Sequence, residues 1–75
     1  MDFSVKMRTM RGYRGFSQMK VAGDAGVNYF YVNQIESGKR KPTKNEEDRI
    51  RTALDFPKTM DAILDLLGAH GGFVK

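Results

Sequence analysis

Apolar positions in this chain recur at helical rather than strand spacing, in five bursts separated by glycine, proline, serine or asparagine. Phe3, Met7 and Met10 predict a first helix over residues 4–13, with Ser4 as N-cap and a stop at Gly15; Gly12 and Gly15 flank its end. Ser17 then opens a second helix over residues 18–24, whose apolar residues are Met19, Val21 and Ala22. Gly26 follows Ala25 where a sharp bend needs positive φ, and Val27 turns back into the core. Asn28 caps a third helix that runs to residue 36 or 37 and stops at Gly38. Its inward residues are Val32 and Ile35, which leaves Tyr29, Phe30, Asn33 and Gln34 on other faces.

Thr43 caps a fourth helix over residues 44–54, with Ile50, Ala53 and Leu54 as its apolar residues. Glu46, Glu47 and Asp48 lie where the helix dipole favours negative charge. Phe56-Pro57 breaks the chain, and a fifth helix follows over residues 58–67. Met60, Ile63, Leu64 and Leu67 form one stripe on it, with Leu66 beside them. Gly68, Gly71 and Gly72 end it, so residues 1–68 read as one domain and residues 69–75 as a flexible tail. No internal repeat and no run of strand alternation is present. The expectation is an all-α fold of five helices.

Composition narrows the picture. Seventy-five residues suffice for one core. Without cysteine, neither disulfides nor a thiolate metal site supplies stability, so helix packing must, helped by oligomerisation; a reducing, cytoplasmic setting is expected. No signal peptide or apolar run near the ~20 residues of a spanning helix is seen, so no membrane association is expected. The net charge is +4 but uneven: residues 1–42 hold eight Lys and Arg against three Asp and Glu, whereas residues 43–75 hold five against six. The basic excess coincides with the second and third helices, and a basic face attracts phosphates regardless of sequence. His70, the only histidine, reads as a solvated residue, and no nucleophile–base pair, metal spacing or phosphate-cradling loop is present. An enzyme, a cofactor or a small-molecule ligand is therefore not expected. RNA binding is disfavoured by the lack of an aromatic sheet platform.

Two short helices joined by a glycine-bearing turn, the second with a polar and aromatic leading edge and a basic cluster after it, have the layout of a helix-turn-helix. At this point the chain resembles the phage repressor and Cro-type helix-turn-helix family, also called lambda-repressor-like. The residues that carry the resemblance are Arg11, Gly15-Phe16-Ser17-Gln18, Val21-Ala22, Ala25-Gly26-Val27, Ile35-Glu36-Ser37-Gly38-Lys39-Arg40 and Pro42-Thr43, with Ala53-Leu54 at the end of the fourth helix. It covers residues 4–56.

The resemblance implies double-stranded DNA as partner and a third helix lying in the major groove. Tyr29, Phe30, Asn33 and Gln34 fall where the family reads bases. Ser17, Gln18, Asn28, Tyr31, Lys39, Arg40 and Lys41 fall where it touches phosphates, Gln18 also bracing the third helix. Arg11 and Glu36 correspond to a structural ion pair between the first and third helices. Gln34 can pair with adenine through its amide, whereas Phe30 offers only apolar contact, for example to a thymine methyl. The same side chains have plainer uses. The aromatics could sit partly in the core or at a dimer contact, Gln34 on a solvated face, and the basic cluster in a solvated loop.

Two features depart from the family. Lys44-Asn45-Glu46-Glu47 replaces a turn that commonly buries an aliphatic residue, so this turn either frays or faces solvent. Gly23, inside the second helix, costs up to about 1 kcal/mol relative to alanine. The fifth helix is wide enough for either closing the core or forming a homodimer through Phe56, Pro57, Met60, Ile63, Leu64, Leu66 and Leu67. A dimer would set two reading helices about 34 Å apart, for a palindromic operator. The implied function is a small Cro-like repressor of a phage or mobile element that excludes polymerase from a promoter. The alternatives are an antitoxin or restriction–modification controller that regulates its own operon, and an adaptor or inhibitor that binds protein through the aromatic patch.

Overall fold

A computed structural model describes residues 2–69, in which five α-helices and one short 3-10 turn are joined by loops. The helices are α1 (Phe3–Arg14), α2 (Gln18–Ala25), α3 (Tyr29–Glu36), α4 (Lys44–Leu54) and α5 (Asp61–Ala69), with the turn at Lys58–Met60 before α5. The all-α expectation holds, and no strand occurs among the described residues. No helix among them is long and apolar enough to cross a membrane. The expected tail lies outside the described residues from position 70 onward, and so does the side chain of Leu67.

The ends of the helices follow local chemistry. α1 starts one residue earlier than its pattern predicts, with Asp2 rather than Ser4 at the cap position and no side-chain cap bond. It runs through Gly12, beside which there is open space, and stops at Gly15 (φ 71°). Ser17 caps α2 as expected, its hydroxyl accepting the Lys20 amide at 3.0 Å. The α2–α3 bend is made at Gly26 (φ 66°), where a side chain would be strained. At α4 the open question is settled in favour of solvent. Lys44 and Asn45 are exposed, yet the turn is ordered by a full capping box in which Thr43 and Glu46 exchange hydrogen bonds of 3.0 and 3.1 Å. α4 ends at Asp55, which holds φ 52° without being glycine; Arg14 donates to the carbonyls of Leu54 and Asp55, both at 3.0 Å.

The core is assembled from the predicted stripes of α1 to α4. Met7, Met10, Val21, Val32, Ile35, Ile50 and Leu54 are essentially buried, and Val27 tucks in beneath the bend. α2 packs on both α3 and α4, while α1 lies across α3 and α4. Met19 does not join them and is exposed.

The apolar surface expected at a dimer contact divides. Phe56 is fully buried in the chain's own core, its ring stacked on Phe3 with centroids 5.9 Å apart, and Leu64 is buried with it. Burial of one such phenylalanine contributes on the order of 1.5–3 kcal/mol. Phe56 and Leu64 therefore close the monomer and are not free to form an interface; Met60 also packs partly against this core. Pro57, Ile63 and Leu66 remain exposed.

A charged network that the hydrophobic pattern did not reveal ties α5 to the rest. Arg51, buried to 7% exposure, forks onto Asp61 at 2.9 and 3.0 Å and bonds Glu47 at 2.9 Å. Its guanidinium also lies over the rings of Phe56 and Phe3, 4.6 and 5.2 Å from their centroids. Lys6, on α1, reaches Asp61 at 3.2 Å and Asp65 at 3.4 Å. The bond from Arg51 holds the Asp61 carboxyl below the ordinary aspartate range; burial opposes this and Lys6 adds to it. A carboxyl with a depressed folded value stabilises the fold at pH above its unfolded value, about 3.9, and that contribution disappears as pH falls through the folded value. Asp61→Asn is thus expected to lower the thermal midpoint at pH 7 and to make the acid limb below about pH 4 shallower. Thermal scans from pH 7 to pH 2 should converge with those of the unaltered chain; parallel curves would contradict a role for this carboxylate.

Candidate nucleic-acid interface

α3 divides cleanly into two faces. Val32, Ile35 and Glu36 point inward, while Tyr29, Phe30, Tyr31 and Asn33 are exposed and Gln34 is half-buried. Residues 29, 30, 33 and 34 share one side by helical spacing, so the four expected base readers lie together. Phe30, at 61% exposure, is the most open of the aromatics on this helix. An apolar ring in water at the start of a helix contributes nothing to the core, which leaves it available for contact.

The inward side is what fixes α3 in place. Arg11 forks onto Glu36, Nε to Oε2 at 2.9 Å and Nη2 to Oε1 at 2.6 Å, and its remaining Nη1 donates to the Phe16 carbonyl at 3.0 Å. This is the ion pair between the first and third helices that the resemblance implies. The hydrogen bond to Glu36 raises the already high Arg11 pKa, against the opposing effect of burial, so the guanidinium keeps its charge. The side chain of Glu36 is only 6% exposed, so this carboxylate depends on Arg11 for compensation.

A second brace connects the N-terminus of α2 to the outer edge of α3. The Asn33 amide donates to the Gln18 carbonyl oxygen at 3.2 Å. The amide nitrogen of Gln18 takes no part in this bond and remains a donor suited to an anion, while Asn33 has part of its capacity engaged. Asn28 caps α3, its side-chain oxygen accepting the Phe30 amide at 2.8 Å. Ser17 uses its hydroxyl oxygen in the α2 cap and retains its O–H as a donor.

The three cations after α3 are not equivalent. Lys39 and Lys41 are exposed and form no ion pair among the described residues. Arg40 bonds Glu46 at 2.9 Å, and its guanidinium carbon lies 4.2 Å from the centre of the Tyr31 ring. Its Nε is buried without a hydrogen-bond partner among the described residues. Of the three expected cationic phosphate ligands, Arg40 is thus the one already paired. On α2, Lys20 pairs with Asp24 at 3.1 Å and lies over the Phe16 ring.

Glu46 was legible in the sequence as a helix-dipole residue but not as the partner of Arg40, six residues earlier. The T-x-x-E spacing from Thr43 was the available signal for its capping role. The Thr43 amide bond, opposed by burial and aided by Arg40, lowers the Glu46 pKa, so this carboxyl is charged at neutral pH. Among the described residues, no group of three or more His, Cys, Asp or Glu side chains could hold a metal ion. Comparison with known proteins finds no matching family model, no matching curated protein and no matching solved structure.

Proposed function

We propose that the chain is a sequence-specific DNA-binding regulator that uses α2, the Gly26 bend and α3 as a helix-turn-helix. The observation that carries this reading is the outer face of α3: Tyr29, Phe30 and Asn33 stand exposed with Gln34 beside them, on a helix whose inner face is locked by Arg11 and Glu36. A rigid helix that presents polar and aromatic groups to solvent is what direct readout in the major groove requires. Gln18, Asn28, Lys39 and Lys41 flank this face as phosphate ligands, which would set the register of the helix on the duplex. Repression by steric exclusion of polymerase is the mechanism this architecture supports, in a Cro-like, antitoxin or restriction–modification controller setting.

The test is a salt titration of binding to a random-sequence duplex. The logarithm of affinity should fall linearly with the logarithm of salt concentration, and Lys39→Ala should reduce the slope by about 1 while weakening all duplexes alike. A slope unchanged by Lys39→Ala would remove it from the phosphate ligands.

The same reading includes a homodimer, now confined to the surface that the monomer leaves open. Ile63 and Leu66, each 59% exposed and three residues apart on α5, are its centre. Replacing both with serine should convert a dimer to a monomer in sedimentation without loss of helicity. An unchanged mass would exclude this surface.

One observation favours a second reading as a protein-binding adaptor: Tyr29, Phe30 and Tyr31 form a run of exposed aromatics, a composition enriched at protein interfaces. In that case Lys39 and Lys41 could be neutralised together with no loss of function.

A further inference from the structure

The geometry points to Arg40 as a positioning residue for Tyr31 rather than a phosphate ligand in its own right. This rests on the DNA-binding reading above and refines it. Arg40 lies four residues beyond the end of α3, its amide bonded to the Gln34 carbonyl at 3.3 Å, so the chain has turned back toward that helix. From there its guanidinium covers one face of the Tyr31 ring at 4.2 Å and bonds Glu46 at 2.9 Å. Glu46 is itself immobilised by the capping box with Thr43. A continuous link therefore runs from the start of α4, through Glu46 and Arg40, to an aromatic residue in the first turn of α3.

Three features separate this arrangement from that of a waiting phosphate ligand. The charge of Arg40 is already matched by Glu46, so the pair adds little attraction toward a polyanion. Its side chain is about two-thirds buried, whereas Lys39 and Lys41, on either side, are exposed. Reaching outward would also give up both the ring and the carboxylate. Tyr31 is itself exposed, with 40% of its surface open. A tyrosine held by a flat cation on one face loses rotamer freedom before binding, and its hydroxyl can donate to a phosphate oxygen without carrying charge. Phosphate contacts of this neutral kind fix helix register and leave no trace in the salt slope.

The test is a mutant cycle of Arg40→Met and Tyr31→Phe, read on the DNA sequence that the unaltered protein selects. If Arg40 acts through the Tyr31 hydroxyl, each single change should weaken binding about fivefold. The double variant should be no weaker than either single one, and the salt slope should stay within about 0.3 of its original value. Arg40→Lys should lose as much as Arg40→Met, because an ammonium cannot lie flat on the ring while it bonds Glu46. NMR of the free protein should show Tyr31 in one χ1 rotamer, becoming averaged in both Arg40 variants while the remaining amide spectrum stays folded. Additive losses with a slope reduced by about 1, and recovery with lysine, would identify Arg40 as a direct phosphate ligand and overturn the proposal alone. Failure of the unaltered chain to select any sequence would instead overturn the DNA reading on which it rests.

Discussion

Arg11→Met is expected to destabilise the fold by about 3 kcal/mol, the largest effect on stability of any single exchange considered for this chain. Methionine preserves the length of the apolar stem, so the change isolates the guanidinium. Its removal leaves Glu36, whose side chain is 6% exposed, without either of the bonds it receives at 2.9 and 2.6 Å, and frees the Phe16 carbonyl. Breaking a fully buried pair costs about 3–5 kcal/mol; the lower end applies because the side chain of Arg11 is itself 24% exposed and water can partly take its place. Domains of this size have roughly 4–11 kcal/mol in total. The thermal midpoint should therefore drop by roughly 12–24 °C. Thermal unfolding followed by circular dichroism measures it. If Arg11 acts through Glu36, adding Glu36→Leu should restore most of the loss, since an apolar replacement of both partners removes the stranded charge. A drop of under about 1 kcal/mol, or no recovery in the double variant, would mean that the pair is not what holds α3 against α1.

Gln34→Ala should produce the largest change in sequence preference. Its half-buried side chain lies on the side of α3 that carries Tyr29, Phe30 and Asn33, while its backbone carbonyl accepts from Lys39 at 2.9 Å and from the Ser37 hydroxyl at 3.1 Å. Those backbone bonds survive the substitution, so the end of the helix stays closed and the loss is confined to the amide. A bidentate amide–adenine contact is worth about 1–3 kcal/mol, or roughly 5- to 150-fold in affinity for the preferred sequence. Preference at one base position should relax, and affinity for random duplex should not change. Competition binding with the preferred site and its single-base variants measures both. Equal losses on preferred and random DNA would remove Gln34 from the base readers.

Much of this was legible in the sequence because the relevant signals are local. Ser17, Asn28 and Thr43 announce helix starts through their own hydrogen-bonding groups, Gly15 and Gly26 announce bends through the φ they tolerate, and Val32 and Ile35 fix the inner face of α3 by spacing alone. What escaped was set by partners distant in the chain. Phe56 and Leu64 look as suited to an interface as Ile63 and Leu66 do, until Phe3 is seen to stack on Phe56. The network of Arg51 and Lys6 escaped because nothing in a periodic pattern reveals that Asp61 meets both. Arg40 was grouped with its neighbours because a run of three cations gives no sign that the middle one turns back toward Tyr31 and Glu46. Helical spacing identifies which face is buried; it does not identify which charged residues find partners across the fold.

The most direct test of the central claim is selection from a pool of random duplex DNA at about physiological salt, using the purified full chain. The account predicts recovery of a short inverted repeat, each half contacted by one copy of α3, with Gln34→Ala degenerate at one position of the half-site. Recovery of no motif, with only salt-sensitive retention of arbitrary sequences, would contradict it.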